Sequence, residues 1–267
     1  MEIGIIGFGA IGQTLCRLIG EHARNVRIAA IVEKPALHAA LLAKLPAATH
    51  LAATAQEILS TKLDLVVECA GHAALKAMGP LVLQAGVDLL VASVGALADA
   101  SIEAALRDAA RASGAKIRIP AGALGGLDVL GAAKFAGLDS VTYVSNKAPR
   151  AWKGTAAESM LDLDGLTEAA IFYTGNARDA ALLFPQNANV AAAVALAGAG
   201  FEKTLVKLTA DPSATGNRHQ IRAVGAFGEI DISILGKTLP GNPKTSMLAP
   251  YSLVRSLTNL SETYVIG

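Results

Sequence analysis

Residues 2–12 read EIGIIGFGAIG, a short apolar strand running straight into Gly7, Gly9 and Gly12, with the helical rhythm of IGQTLCRLIGEHA behind it. In a Gly-x-Gly-x-x-Gly turn each glycine has its own steric task. Gly7 permits the sharp reversal, Gly9 lets the backbone approach a pyrophosphate, and Gly12 lets helix and strand pack closely. The helix N-terminus then presents unpaired N–H groups and a partial positive charge. The string is common by itself. After a first strand, before a helix and about 20 residues ahead of an acidic strand end, it predicts a dinucleotide site. Gly7, Gly9, Ala10, Ile11 and Gly12 are the expected contacts.

Glu33 closes the second strand, VRIAAIVE, and is placed to accept the adenosine ribose hydroxyls, which favours NAD. Lys34 follows at once and offers a cation to a 2'-phosphate, so NAD and NADP are both expected cofactors. The string EKP (33–35) also matches the Glu-Lys-Pro motif of sugar oxidoreductases, whose lysine is catalytic. There the motif ends a later strand near the nicotinamide, whereas here it lies beside the adenosine, and that assignment is rejected.

Up to about residue 120, apolar strands at 2–7, 26–33, 63–71, 87–93 and 115–122 alternate with helical segments, the pattern of a doubly wound parallel sheet. In such a sheet the ligand crevice opens at the carboxyl ends of the strands. Cys69, Ala70 and Gly71 in ECAGH, and Ser93 in SVGAL, are therefore expected to line the cofactor. His72 also stands there, and it reads as a surface histidine at a helix start before it reads as an acid or base.

Beyond residue 121 the segments LDSVTYVSNKAP, EAAIFYTG, EKTLVKLTADP, NRHQIRAVGAFG and GEIDISILG read as longer, partly alternating strands, the last two joined as a hairpin. The expected fold is α/β. Residues 1–120 are expected to form a Rossmann domain, and 121–240 a second α/β domain with a mixed or largely antiparallel sheet, whose edges and apolar face lead us to expect a homodimer. A C-terminal helical segment (241–267) packs back on the first domain.

Composition narrows the partners. With 23 basic against 22 acidic residues, no global field draws the chain to nucleic acid or an anionic membrane, and no helix-turn-helix appendage is evident. The most apolar helical run, NVAAAVALAGAGF, falls well short of the roughly 20 residues that span a bilayer. Cys16 and Cys69 have no metal-like spacing, so neither a zinc site nor a disulfide framework is expected, and no metal. The first residues are already a strand, leaving no room for a leader, and the expected location is cytoplasmic.

The stretch TGNRHQIRAVG carries the candidate proton acceptor. Read with period two, His219 shares a face with Ile221 and Ala223, while Arg218, Gln220 and Arg222 point the other way. Alone, that pattern describes an ordinary buried histidine. A dinucleotide enzyme changes the reading, because removing hydride from a carbon bearing an amine or hydroxyl requires a proton to leave the heteroatom. Cations for a carboxylate substrate stand at Lys147, Arg150 and Lys153 in SNKAPRAWKG and at Arg218 and Arg222.

Taken together, GIIGFGAIG, ECAG, SVGAL, IPAGALGGLD, SNKAPRAWKGTA, FPQNANVAAAVALAG, TGNRHQI and GNPKTSMLAPYS resemble the bacterial and archaeal L-aspartate dehydrogenase family, almost end to end. IPAGA, FPQNANVAA and GNRH are the more specific of these. The resemblance implies NAD- or NADP-dependent oxidation of L-aspartate to iminoaspartate, which feeds quinolinate and hence NAD synthesis or breaks down to oxaloacetate and ammonia. It implies that His219 is the active-site histidine and that Ala123 and Asn189 contact the cofactor. Lys147, Thr155, Asn187 and Arg218 are the candidates for gripping the substrate carboxylates. The histidine would serve either the amine or the water that hydrolyses the imine. Related reductases, such as homoserine dehydrogenase or dihydrodipicolinate reductase, share the two-domain plan, and a dinucleotide-sensing regulator is the alternative outside enzymes. A catalytic cysteine is disfavoured, since the second domain has none.

Overall fold

The computed structural model describes residues 1–42, 45, 48–185, 189–240 and 242–265. The chain divides into two compact units: Met1–Ala96 with Ala100–Pro120 and Pro250–Gly267, and Leu97–Asp99 with Ala121–Ala249.

In the first unit, β1 (Glu2–Ile6), β2 (Arg27–Val32), β3 (His50–Ala52), β4 (Leu65–Glu68), β5 (Asp88–Val91) and β6 (Ile117–Arg118) form one parallel sheet in the order β3-β2-β1-β4-β5-β6. The order reverses between β1 and β4, which is the topological switch point where open α/β sheets bind ligands. Ile5 and Ile6 of β1 and Leu65, Val66 and Val67 of β4 are essentially inaccessible, so these strands are apolar on both faces rather than alternating. Crossovers run through α1 (Ala10–His22), α2 (Pro35–Leu42), α3 (Ala55–Leu59), α4 (His72–Gln84) and α5 (Ala100–Ser113).

In the second unit the five-stranded sheet is mixed. β7 (Leu138–Lys147), β8 (Ala170–Asn176), β9 (Thr204–Ala210), β10 (Asn217–Gly225) and β11 (Gly228–Gly236) lie in the order β11-β10-β7-β9-β8. Only β7 and β9 run parallel. The expected hairpin joins β10 to β11, closing at Gly225 and Gly228, and Gly228 takes a φ of 109° that a side chain would strain. The helices here are α6 (Leu127–Ala136), α7 (Ala177–Leu183) and α8 (Asn189–Ala197).

Some boundaries differ from the sequence reading. The strand expected at 115–122 shrinks to the two residues of β6. The helical segment expected over 241–267 is helical only in its middle, because β13 (Asn242–Ser246) pairs with β12 (Thr238–Leu239) and the helix α9 runs Leu248–Thr258. Leu253, Val254 and Leu257 of α9 join Leu15, Leu18 and Ile19 of α1 in one buried cluster of the first unit. Each such side chain contributes about 1.5–3 kcal/mol when fully buried, enough to hold the returning chain. Among the described residues, no helix is long and apolar enough to cross a membrane.

Candidate active site

At the switch point the glycine turn is packed on one side and open on the other. Gly7 takes a φ of 96°, and a Cβ there would lie 2.7 Å from Ala70. A Cβ on Gly12 would lie 2.3 Å from the Gly7 carbonyl oxygen, whereas one on Gly9 would meet nothing within 4 Å. Two glycines are thus required by the protein's own packing. The third leaves space that a pyrophosphate would occupy. Gly9 caps α1 without a side-chain hydrogen bond, and no acidic residue stands in its first turn, so the helix's own residues do not offset its positive end. The turn fits a dinucleotide.

Two carboxylates organise its surroundings. Glu33 Oε2 accepts the Phe8 N–H at 2.9 Å, and Oε1 accepts the Lys34 N–H at 2.9 Å, which holds the acid beside the glycine turn. Glu68, at the end of β4, is fully buried. Its Oε1 accepts the N–H groups of Ala70 and Gly71, each at 2.8 Å, and the Ser93 hydroxyl at 2.9 Å, and its Oε2 accepts the Ser93 N–H at 3.1 Å. Burial pushes this carboxyl above its usual range, and these donors pull it back. Cys69 donates its thiol to the Gly7 carbonyl at 3.2 Å, and burial keeps that thiol protonated.

The second unit places a polar column on a buried sheet face. Alternation along β7 buries Val141, Tyr143, Ser145 and Lys147 together, and the antiparallel register sets Ser145 opposite His219 and Tyr143 opposite Ile221 on β10. His219 is 2% exposed, and its Nδ1 lies 2.7 Å from the Tyr143 hydroxyl. Among the described residues its Nε2 has no hydrogen-bond partner. Burial, with repulsion from Lys147 added, pushes its pKa down to about 3, so the ring is neutral. Burial likewise lowers Lys147 to about 8, and its ammonium stands 5.0 Å from the centre of the Trp152 ring.

Close to this face in the chain lies a cavity of about 370 Å³, lined by Arg150, Thr215, Asn217 and Lys237 among others. Asn217 shares the buried face of β10 with His219. The cavity therefore brings two cations to the end of the polar column.

Residues 7–120 match the family model described as the NAD binding domain of homoserine dehydrogenase, and residues 128–260 match that of the aspartate dehydrogenase C-terminal domain. The L-aspartate dehydrogenase of Ralstonia pickettii is 44% identical over 259 residues, covering 97% of both chains. The chain belongs to the L-aspartate dehydrogenase family. A relative of the same name from Pseudomonas aeruginosa is 41% identical, over 97% of each chain. The crystal structure of aspartate dehydrogenase from Thermotoga maritima is 28% identical with a TM-score of 0.76, covering 100% of this chain and 99% of that one.

In this L-aspartate dehydrogenase family member, the residues expected from the sequence fall into distinct places. The glycine turn, Glu33, Cys69, Ala70, Gly71 and Ser93 converge at the switch point. In the second unit, Ala123 is buried just after Gly122, whose φ is 66°, and Asn189 opens α8. His219 and Lys147 share a face, but Arg218 does not join them. It lies on the opposite face of β10, donating to the Ser233 hydroxyl at 3.2 Å, as Arg222 there pairs with Glu229. Thr155 spends its hydroxyl on the Trp152 carbonyl and the Ala157 N–H. Lys153 pairs with Asp164 at 2.5 Å. His72 begins α4. Asn187 lies outside the described residues. The sequence reading passed over Glu68, Tyr143, Ser145 and Lys237. For Tyr143 and Ser145 a signal existed, since the period of two along VTYVSNK puts them on one face with Lys147.

Proposed function

We propose that this chain oxidises L-aspartate to iminoaspartate with NAD or NADP, the first unit binding the dinucleotide and the second carrying catalysis, and that His219 accepts the proton the substrate releases. The observation that carries the role of His219 is the imidazole itself. It is buried and neutral, with Nδ1 engaged by Tyr143 and Nε2 unpartnered among the described residues. When bound, the dinucleotide supplies the hydride acceptor. With a dinucleotide held at the glycine turn to take the hydride from the substrate Cα, the amine would become the imine and Nε2 of His219 would accept the proton that the amine gives up. Burial is the main cause that holds His219 low, and an anionic substrate beside Lys147 would offset the repulsion that adds to it, raising the basicity of the ring. Once that proton has left for solvent, the same nitrogen would serve the water that hydrolyses the imine. In reverse, the same groups support reductive amination of oxaloacetate, and forward flux supplies iminoaspartate for quinolinate and NAD synthesis in the cytoplasm.

Lys147, with Arg150 and Lys237 at the cavity, is the cation set suited to two carboxylates. Glu33 favours NAD over NADP, because a carboxylate repels a 2'-phosphate, while the exposed Lys34 moderates that preference. The outward face of the second sheet bears Ile171, Leu205 and Leu235, all exposed, and is suited to pairing with a second copy as a homodimer. A native mass of twice the chain supports that pairing, and a monomer refutes it. Initial rates with L-aspartate and NAD or NADP, and in reverse with oxaloacetate and ammonia, test the function. L-aspartate-dependent formation of reduced coenzyme supports it, and its absence with both coenzymes refutes it.

A further inference from the structure

We propose that Tyr143 and Ser145 form a hydroxyl chain that fixes the neutral His219 ring with its proton on Nδ1, leaving the Nε2 lone pair for substrate. The inference rests on the reading of His219 as the proton acceptor and extends it to two positioning residues that do not touch substrate. The 2.7 Å contact between Tyr143 Oη and His219 Nδ1 holds a single proton and can run in either of two directions. If the phenol donates, the ring proton sits on Nε2 and that nitrogen can only donate. If the ring donates, Nε2 is free to accept, but the phenol proton must then find another acceptor in a site with no access to water.

Ser145 supplies that acceptor. Its hydroxyl is fully buried, lies on the same face of β7 as Tyr143 and directly across the register from His219, and has no hydrogen bond of ordinary geometry. Its proximity to the phenol offsets part of the rise that burial imposes on Tyr143, and the net upward shift keeps Tyr143 a neutral hydroxyl throughout. The two rings lie 11° from parallel with centres 6.1 Å apart, a packing that holds the imidazole plane while the hydrogen bond sets its polarity. Nδ1–H to Tyr143, and Tyr143 O–H to Ser145, gives each of these two contacts one proton and leaves the Nε2 lone pair the reaction needs.

The test is the ¹⁵N spectrum of protein labelled at histidine, with the His219 signals assigned by their loss in His219→Asn. The expected wild-type pattern is a protonated Nδ1 and an unprotonated Nε2. Tyr143→Phe, which removes the acceptor while keeping the ring, should shift the population towards Nε2–H and lower kcat for L-aspartate oxidation by at least about tenfold, with reduced-coenzyme affinity unchanged. Ser145→Ala should move both readouts the same way. A wild-type ring protonated on Nε2 overturns the proposal, as does a Tyr143→Phe protein with unaltered tautomer and kcat. If Tyr143→Phe fails to fold, the wild-type spectrum decides alone. Full activity in His219→Asn would instead remove the proton-acceptor reading, an outcome separate from the tautomer, which the spectrum reports whether or not the ring takes part in turnover.

Discussion

Glu68 accepts both the backbone N–H and the hydroxyl of Ser93, at 3.1 and 2.9 Å, and so ties the end of β4 to the turn that follows β5. The same carboxylate holds the Ala70 and Gly71 N–H groups, and Ala70 in turn packs against Gly7. One buried acid thus sets the shape of the loops around the switch point. Replacing it with Gln turns one acceptor into a donor facing other donors, and an unmet buried donor costs about 1–3 kcal/mol. Glu68→Gln should weaken reduced-coenzyme binding by about tenfold and lower the melting temperature by several degrees. Fluorescence titration reads the first effect and calorimetry the second. Unchanged coenzyme affinity would show that the loops do not depend on this acid.

Gly9 and Gly12 should separate binding from folding. Gly9→Ala adds a methyl that meets no protein atom, so its melting temperature should hold while coenzyme affinity falls by about tenfold or more. Gly12→Ala drives a methyl into the Gly7 carbonyl and should lose stability outright. Equal coenzyme affinity in Gly9→Ala and the parent would remove the pyrophosphate from this turn.

Much of this site was legible in the sequence, and the reasons are specific. The glycine turn and Glu33 could be read because a local string and its distance from a strand end determine their geometry. His219 could be assigned a face because β10 alternates cleanly, and the same alternation already set Arg218 on the other face. Its proposed grip on substrate departed from the pattern that identified the histidine. Glu68 was passed over because its role depends on β4 lying beside β5, a tertiary neighbour that no spacing encodes. The short elements failed for a different reason. β3 has three residues, and α2 is apolar nearly all round, so neither carries a period to detect.

Glu33 should govern coenzyme choice. Glu33→Ala removes both the ribose acceptor and the charge that repels a 2'-phosphate, so KM for NAD should rise about tenfold and KM for NADP should fall. Steady-state kinetics with each coenzyme decide this. An unchanged ratio of kcat/KM values would place the ribose elsewhere.

The neutral His219 also predicts a pH dependence of stability. Its folded pKa of about 3 lies below the ordinary value of 6.5, so between these values the unfolded chain binds the proton that the folded chain refuses. Stability from this group is present above pH 6.5 and is lost as pH falls towards 3, by about 2 kcal/mol between pH 7 and 5. Urea unfolding of the parent should show this loss, and His219→Asn should lack it. The same acid-side loss in both proteins would mean that His219 titrates normally.

The most direct measurement is the initial rate of L-aspartate-dependent NAD reduction in the parent and in His219→Asn, with reduced-coenzyme binding measured on both. The account predicts turnover in the parent, a loss of about 100-fold or more in the variant, and equal coenzyme affinity. Equal turnover in the two proteins would contradict it.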